Sequence, residues 1–550
     1  MQTLPLLSII TFLPLAGIPV VLLISEKRKK LVHAVITIFT GITFLASLLL
    51  IPALKSDVSG FQFVEKITWI PSLGIQYFLG LDGISIYLVI LTTFLTFIAA
   101  VSAYTAIETR VKEFAITIFI LEVGMVGVFL ALDLFLFYIF WELILIPMYL
   151  MIGIWGGKNK LYASLKFFLY TLAGSTLMLL ATIYMAYQVK IQTGQMSFSL
   201  LDMQTLILPV KTQIPLFLAF ALAFAIKVPY FPFHTWLPDA HTEAPTAGSV
   251  ILAGVLLKMG SYGFIRFNLP LFPDAAVEMA PFMSILAVAG IIYGAFMALV
   301  QTDVKRLVAY SSVSHMGFIM LGIFSFNKEG FNGAILQMLN HGISTGMLFL
   351  LVGMIYERRH TRMIDEYGGI ASKMPVFAIY TMIALLSSIA LPGTNGFIGE
   401  FLILSGSFFH NHVMGILASS GVVFGAVYML WMYQRIFLGK ITKKANEKLV
   451  DLNFREHFIL IPLVALIFGI GIYPQYVLNN FKKPVQSLEE IITPALKSQT
   501  VETNDPGKSD TPQTSPENKT DHRTENLKYM PKIMTRTLDT PVSPETEKNL

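Results

Sequence analysis

Six ionisable side chains stand inside long apolar stretches. Glu142 lies in "DLFLFYIFWELILIPMYLMIGIW", and Lys227 follows eleven apolar residues in "PLFLAFALAFAIKVPYFPF". Lys258 sits in "AGSVILAGVLLKMGSYGF", His315 in "AYSSVSHMGFIMLGI", His341 in "AILQMLNHGISTGMLFLL" and Glu400 in "IALPGTNGFIGEFLIL". At the centre of a lipid-embedded helix each charged group costs about 2.5–3.5 kcal/mol, so each needs a reason. Stability alone is a poor one, because an apolar pair often serves as well as a buried ion pair. The chemistry that carboxylate, amine and imidazole share is proton transfer. Burial disfavours the charged form of both lysine and glutamate, and a nearby opposite charge reverses that. Moving Glu142 towards or away from Lys227 would therefore make the lysine hold or release its proton. Imidazole titrates in the useful range and relays between its two nitrogens. Lys258, His315 and His341 read as central relays, with Glu400 as the terminal acid.

Other polar residues support blander readings. Glu122, Asp133 and Lys166 are expected at an interface or in structural pairs. The loop "FPFHTWLPDAHTEAPTAGS" carries His234, Asp239, His241 and Glu243, but their spacing fits no standard zinc pattern. A capped turn is expected there, with a helix resuming after Pro245.

The elements that must position these groups are membrane helices. A bilayer core about 30 Å thick needs roughly 20 apolar residues per crossing. Windows of that size begin near residues 4, 31, 82, 113, 134, 162, 215, 247, 279, 306, 332, 375, 417 and 456, which predicts about fourteen spans. Pro229 and Pro232 follow Lys227, while Pro392, Gly393 and Gly396 precede Glu400. Proline and glycine inside an apolar span mark a discontinuous helix, tolerated where it lines a cavity, and a pair of such breaks points to an inverted-repeat transporter. The stretch from Asp133 is weakly echoed by "DVKRLVAYSSVSHMGFIMLGIF" from Asp303, suggesting equivalent helices.

Composition agrees. The 550 residues are 55% hydrophobic and 13% charged, with mean hydropathy +0.67, far from the roughly 25% charged residues of soluble domains. Cysteine is absent, which excludes thiolate-held iron–sulfur clusters, c-type haem, disulfides and cysteine nucleophiles. Lys and Arg fall in alternate loops. One set holds Lys27–Lys30, Arg110, Lys112, Lys158, Lys160, Lys305, Arg306, Arg358, Arg359, Arg362, Lys373, Arg435, Lys440, Lys443, Lys444, Lys448 and Arg455; the other holds only Lys55, Lys66, Lys190, Lys211 and Lys328. This is a topology signal and not a nucleic-acid signature; it puts both termini outside, on the periplasmic side in a bacterium. From residue 485 the chain becomes polar and rich in Pro, Ser, Thr and Asn, which predicts a disordered tail over 485–550.

The segments "FWELILIPMYLMIGIWGG", "PYFPFHTWLPDAHTEAPTAGSVILAGVLLKMGSYGFIR", "DVKRLVAYSSVSHMGF" and "LPGTNGFIGEF" closely resemble the antiporter-like subunits of respiratory complex I, NADH-quinone oxidoreductase. The resemblance covers about residues 1–475 and is strongest over 110–440. It implies an all-α polytopic fold of fourteen transmembrane helices: spans 1–3 over 1–110, one five-helix repeat (spans 4–8) over 111–270, an inverted second (spans 9–13) over 271–440, and a last span over 441–484. Spans 7 and 12 would be broken. Glu142 and Lys227 would form the key pair, Lys258 the central lysine, His315 and His341 the histidines of the polar axis, and Glu400 the exit-side acid. No cofactor is implied on this chain, since NADH, FMN, iron–sulfur clusters and quinone are handled elsewhere in such a complex. L-type and N-type membrane-arm subunits and the lipid bilayer are the implied partners, and a bacterial inner membrane the location. Three rivals remain: an Mrp-type cation/proton antiporter subunit, a membrane-bound hydrogenase subunit, and a haem b carrier using His315 and His341.

Overall fold

The computed structural model describes residues 4–503, with side chains to 498. Residues 4–498 fold as one helical unit. In chain order the helices are α1 (Leu6–Leu23), α2 (Lys29–Ala53), α3 (Ser85–Ala106), α4 (Val111–Leu130), α5 (Leu134–Trp155) and α6 (Lys160–Thr193). Next come α7 (Val210–Lys227), α8 (Trp236–Glu243), α9 (Thr246–Leu271), α10 (Pro273–Leu299), α11 (Val304–Ile323) and α12 (Lys328–Arg359). The series ends with α13 (Pro375–Ser388), α14 (Asn395–His410), α15 (His412–Phe437), α16 (Phe454–Ile472) and α17 (Gln475–Thr503). Among the described residues, twelve of these are long and apolar enough to cross a membrane. The windows predicted near 306 and 375 fall on α11, whose apolar run is diluted by Lys305, Arg306, three serines and His315, and on α13, only 14 residues long.

A helix in lipid has no water for its terminal N–H groups, so the sequence supplies caps. Asp133 Oδ1 accepts from the amides of Phe135 and Leu136, and Asp303 Oδ1 from those of Lys305 and Arg306. The two caps share nearly the same backbone angles, φ −99° with ψ 126° and 121°. Asn327 and Asn411 do the same for α12 and α15, and Asn453 with Glu456 forms a capping box on α16.

The hydrophobic windows of α9 and α12 are buried along their whole length, whereas those of α1, α2 and α15 are mostly open to the surroundings. Two helices that carry ionisable residues, Lys258 on α9 and His341 on α12, thus have fully buried windows. Both expected breaks are present. α7 stops at Lys227, and the chain passes through a cis Phe231–Pro232 bond before α8. α13 stops at Ser388; Ala390 and Gly393 take left-handed backbone angles before α14 begins. A side chain at Gly396 would place its Cβ 2.0 Å from the Ser387 carbonyl, so the two halves of this break can meet only through glycine.

Two features were not foreseen. Strands β1 (Gln62–Ile70) and β2 (Ile75–Leu81) form an antiparallel hairpin, pairing Glu65 with Leu79 and Thr68 with Gln76. Its Glu65 carboxylate accepts from the amides of Leu7 and Ser8 at the start of α1, a favourable end for negative charge. The second is α17. The tail expected from residue 485 is instead helical through Thr503, because Val477, Phe481, Val485, Leu488, Ile492 and Ala495 form a buried stripe at helical spacing. The rest of the expected tail, 504–550, lies outside the described residues.

Candidate functional site

α9 carries Lys258 in a short α-helical stretch, Leu257–Gly263, flanked by π-helical turns at Leu252–Leu256 and Phe264–Asn268. Such turns often mark functional positions in helices. Lys258 is fully buried, and its Nζ donates to the Ala253 carbonyl and lies 2.6 Å from His341 Nδ1 on α12. The His341 and His315 rings are 5.7 Å apart between centroids. His315, on α11, contacts Glu400 Oε1 on α14 through Nδ1 at 3.0 Å. Four of the six expected residues therefore form one row across four helices. The Nε2 atoms of both histidines have no hydrogen-bond partner. Both rings line a cavity of about 10 Å³, close to the size that admits one water.

The remaining pair is arranged differently. Lys227, 1% exposed at the end of α7, lies over the rings of Trp141 (5.1 Å) and Phe167 (5.6 Å). Glu142, on α5 and half-buried, acts on Lys227 electrostatically, yet the two make no direct ion pair among the described residues. One carboxylate oxygen of Glu142 has no partner.

The sequence reading missed the polar groups that hold Glu400. Gln337 Nε2 donates to Glu400 Oε1 at 3.1 Å, and Asn340 links Gln337 to the Asn395 carbonyl at the start of α14. Ser344 bonds Ser387, whose hydroxyl donates to Asn395 Oδ1. The signal was available: 337, 340, 341 and 344 repeat at i, i+3, i+4 and i+7 on one face of a buried helix. His241, expected in a capped turn, is fully buried, stacked on Phe349 at 4.6 Å and without a partner for either nitrogen.

The blander readings fare unevenly. Asp133 caps α5 and also accepts from the Gln76 amide, while Lys166 pairs with Asp239 at 2.8 Å. Glu122 departs from expectation. It is completely buried and neither carboxylate oxygen has a partner. The 234–243 stretch is a helical turn whose side chains diverge: Asp239 faces Lys166 and Arg306, Glu243 accepts from the Asn159 amide, and His234 lies against Phe231 and Tyr293. Among the described residues no three His, Asp or Glu side chains are grouped as metal ligands would be. The space beside His315 and His341, about 10 Å³, is far smaller than a porphyrin and gives the haem reading no support.

Comparison with known proteins gives a consistent picture. Residues 131–425 match the family model described as NADH:quinone oxidoreductase/Mrp antiporter, transmembrane. The chain is 48% identical over 487 residues to NADH-quinone oxidoreductase subunit M of Rhodobacter capsulatus, covering 86% of this chain and 94% of that one. It is 45% identical over 499 residues to the subunit M of Rickettsia conorii, covering 89% and 99%. In structure it resembles a chain of respiratory complex I from Thermus thermophilus, with TM-score 0.80 and 31% identity over 88% of this chain and 99% of that one. A chain of the Mrp complex from Dietzia shares the fold, with TM-score 0.76 at 20% identity over 90% and 99%. The chain thus belongs to the NADH:quinone oxidoreductase/Mrp antiporter family of membrane proteins, in its complex I subunit M branch.

Proposed function

We propose that this chain translocates protons as a membrane-arm subunit of NADH:quinone oxidoreductase, using Glu142, Lys227, Lys258, His341, His315 and Glu400. The observation that carries the reading is the buried row from Lys258 through His341 and His315 to Glu400. An ammonium on Lys258 donates to His341 Nδ1; after transfer, the imidazole gives up the proton from Nε2. One water between the rings carries it to His315, and His315 Nδ1 passes it to Glu400. Each step crosses a hydrogen bond or one water, which is the reach proton transfer requires. Gln337 and Asn340 hold the Glu400 carboxylate in place.

Glu142 and Lys227 act upstream. Because they are not in direct contact, a small approach or separation changes how firmly Lys227 holds a proton. The lysine is poised over two aromatic faces that tolerate its cation. Redox energy released in other subunits reaches this pair as a change of charge at Glu142.

The chain works in a bacterial inner membrane, with L-type and N-type subunits as neighbours and both termini on the periplasmic side. The fourteen-span, two-repeat arrangement is supported by the like caps of α5 and α11 and by the two breaks, at 228–235 and 389–394. The test is NADH-driven pumping in membranes carrying Glu142→Ala or Lys227→Ala, with quinone reduction followed in parallel. Loss of both activities in an assembled complex is expected. Untouched NADH oxidation with loss of cation/proton exchange alone would favour an Mrp-type antiporter, whose representative shares the fold.

A further inference from the structure

A proton on Lys258 has a second direction in which to escape. Lys258, Tyr262 and Arg266 are spaced i, i+4 and i+8 on α9, one face of a helix climbing about 12 Å. The start of α9 lies among the basic loops, where Arg362 donates to the Thr242 carbonyl and Lys305 to that of Ala244. Arg266 lies at the other end, beneath Phe61 of the hairpin region. The stripe therefore runs from the central lysine towards the opposite surface, and its chemistry decides whether it conducts.

We propose that Tyr262, Arg266 and Asp82 form a proton seal that forbids this route and commits Lys258 to His341. The inference rests on Lys258 being a proton carrier. The Tyr262 hydroxyl donates to the Phe129 carbonyl and accepts from Arg266 Nε, each at 3.0 Å. Its proton is thus directed at an amide oxygen that leads nowhere, and the lone pair that would receive a proton from the Lys258 side is taken. The donor taking it is a guanidinium, which does not release its proton in proteins. Arg266 is fixed by Asp82 Oδ2 at 2.6 Å and by the rings of Phe61 (4.9 Å) and Tyr262 (5.2 Å). Asp82 is itself fixed, its Oδ1 accepting from the Ile84 and Ser85 amides. Next to it, Gly83 is covered by α17, since a Cβ there would stand 1.8 Å from the Asn480 carbonyl. Lys258 meanwhile bends away from the seal, towards Ala253 and His341. These are positioning residues; none touches the row that moves the proton.

The test uses the whole complex reconstituted in liposomes, with a pH gradient imposed and its decay followed without NADH. Arg266→Lys keeps the charge opposite Asp82 but replaces the guanidinium with a group that can release a proton. Arg266→Gln removes the cation altogether. In both, NADH oxidation is expected at the parent rate while the gradient decays several-fold faster. Adding Tyr262→Phe, which deletes the only hydroxyl on the stripe, is expected to restore the slow decay. If Arg266→Gln does not assemble, Arg266→Lys carries the test by itself. A parent-like decay in the assembled Arg266 variants, or an equally fast decay after Tyr262→Phe, would overturn the proposal. Lys258→Met under NADH-driven pumping tests the underlying reading separately: full pumping there removes the proton carrier, whatever the gradient does.

Discussion

At the scale of residues, the informative feature is which buried polar atoms have partners and which do not. Glu400 Oε1 is shared by His315 and Gln337, so its position depends on both. Gln337→Leu removes a bond to an ionisable group worth roughly 1.5 kcal/mol or more, which translates to about a tenfold slower proton step. Turnover of the assembled variant by NADH oxidation checks this, and parent-like turnover would show that Glu400 needs no such hold. Glu122 offers the contrasting case. It is as buried as Lys258 but bonds to no member of the row. Glu122→Gln is therefore expected to leave pumping intact, and a loss of pumping would add Glu122 to the path. Sequence singled out the charged members of the site readily, because a charge in an apolar run is conspicuous. It passed over Gln337, Asn340 and Ser344, whose neutral side chains cost less to bury than a charge and so stand out less in an apolar run.

At the scale of elements, both helix breaks were legible because proline and glycine restrict or free the backbone locally, whatever the tertiary context. The hairpin was not, since strand pairing depends on a partner segment and its short runs merge with the apolar windows on either side. α17 was hidden for another reason. Pro484, Pro494 and the polar composition after 485 outweighed a stripe whose burial depends on the surface beneath it. Phe481 is the anchor of that stripe, packed edge-on to Tyr87 at 5.8 Å between centroids, while Asn480 donates to the Tyr87 hydroxyl. Truncating a buried phenylalanine costs about 3–5 kcal/mol. Phe481→Ala should thus speed hydrogen exchange across residues 475–495 with the transmembrane helices unaffected; unchanged protection would mean that the helix is held by other contacts. Where α14 crosses α12, Gly399 would place a Cβ 2.2 Å from Gln337 Oε1. Gly399→Val is expected to push the helices apart and lower pumping more than assembly, measured as pumping per assembled complex.

At the scale of the whole molecule, a mostly apolar bundle lines up Lys258, His341, His315 and Glu400 as an interior row, with other buried polar groups such as Glu122, His241 and Asp82 standing apart from it. α9 and α12, whose apolar windows are fully buried, carry Lys258 and His341, the first contact of the row. The breaks beside Lys227 and before Glu400 put irregular backbone next to two of the candidate residues. In lipid such backbone survives only when packed inside protein or against a hydrated cavity. The proposed proton path begins at Lys258. The most direct test is NADH-driven proton pumping in Lys258→Met, which retains the chain's shape and burial without a titratable group. An assembled complex with this change is expected to lose pumping and slow NADH oxidation together. Pumping at the parent rate would contradict that path.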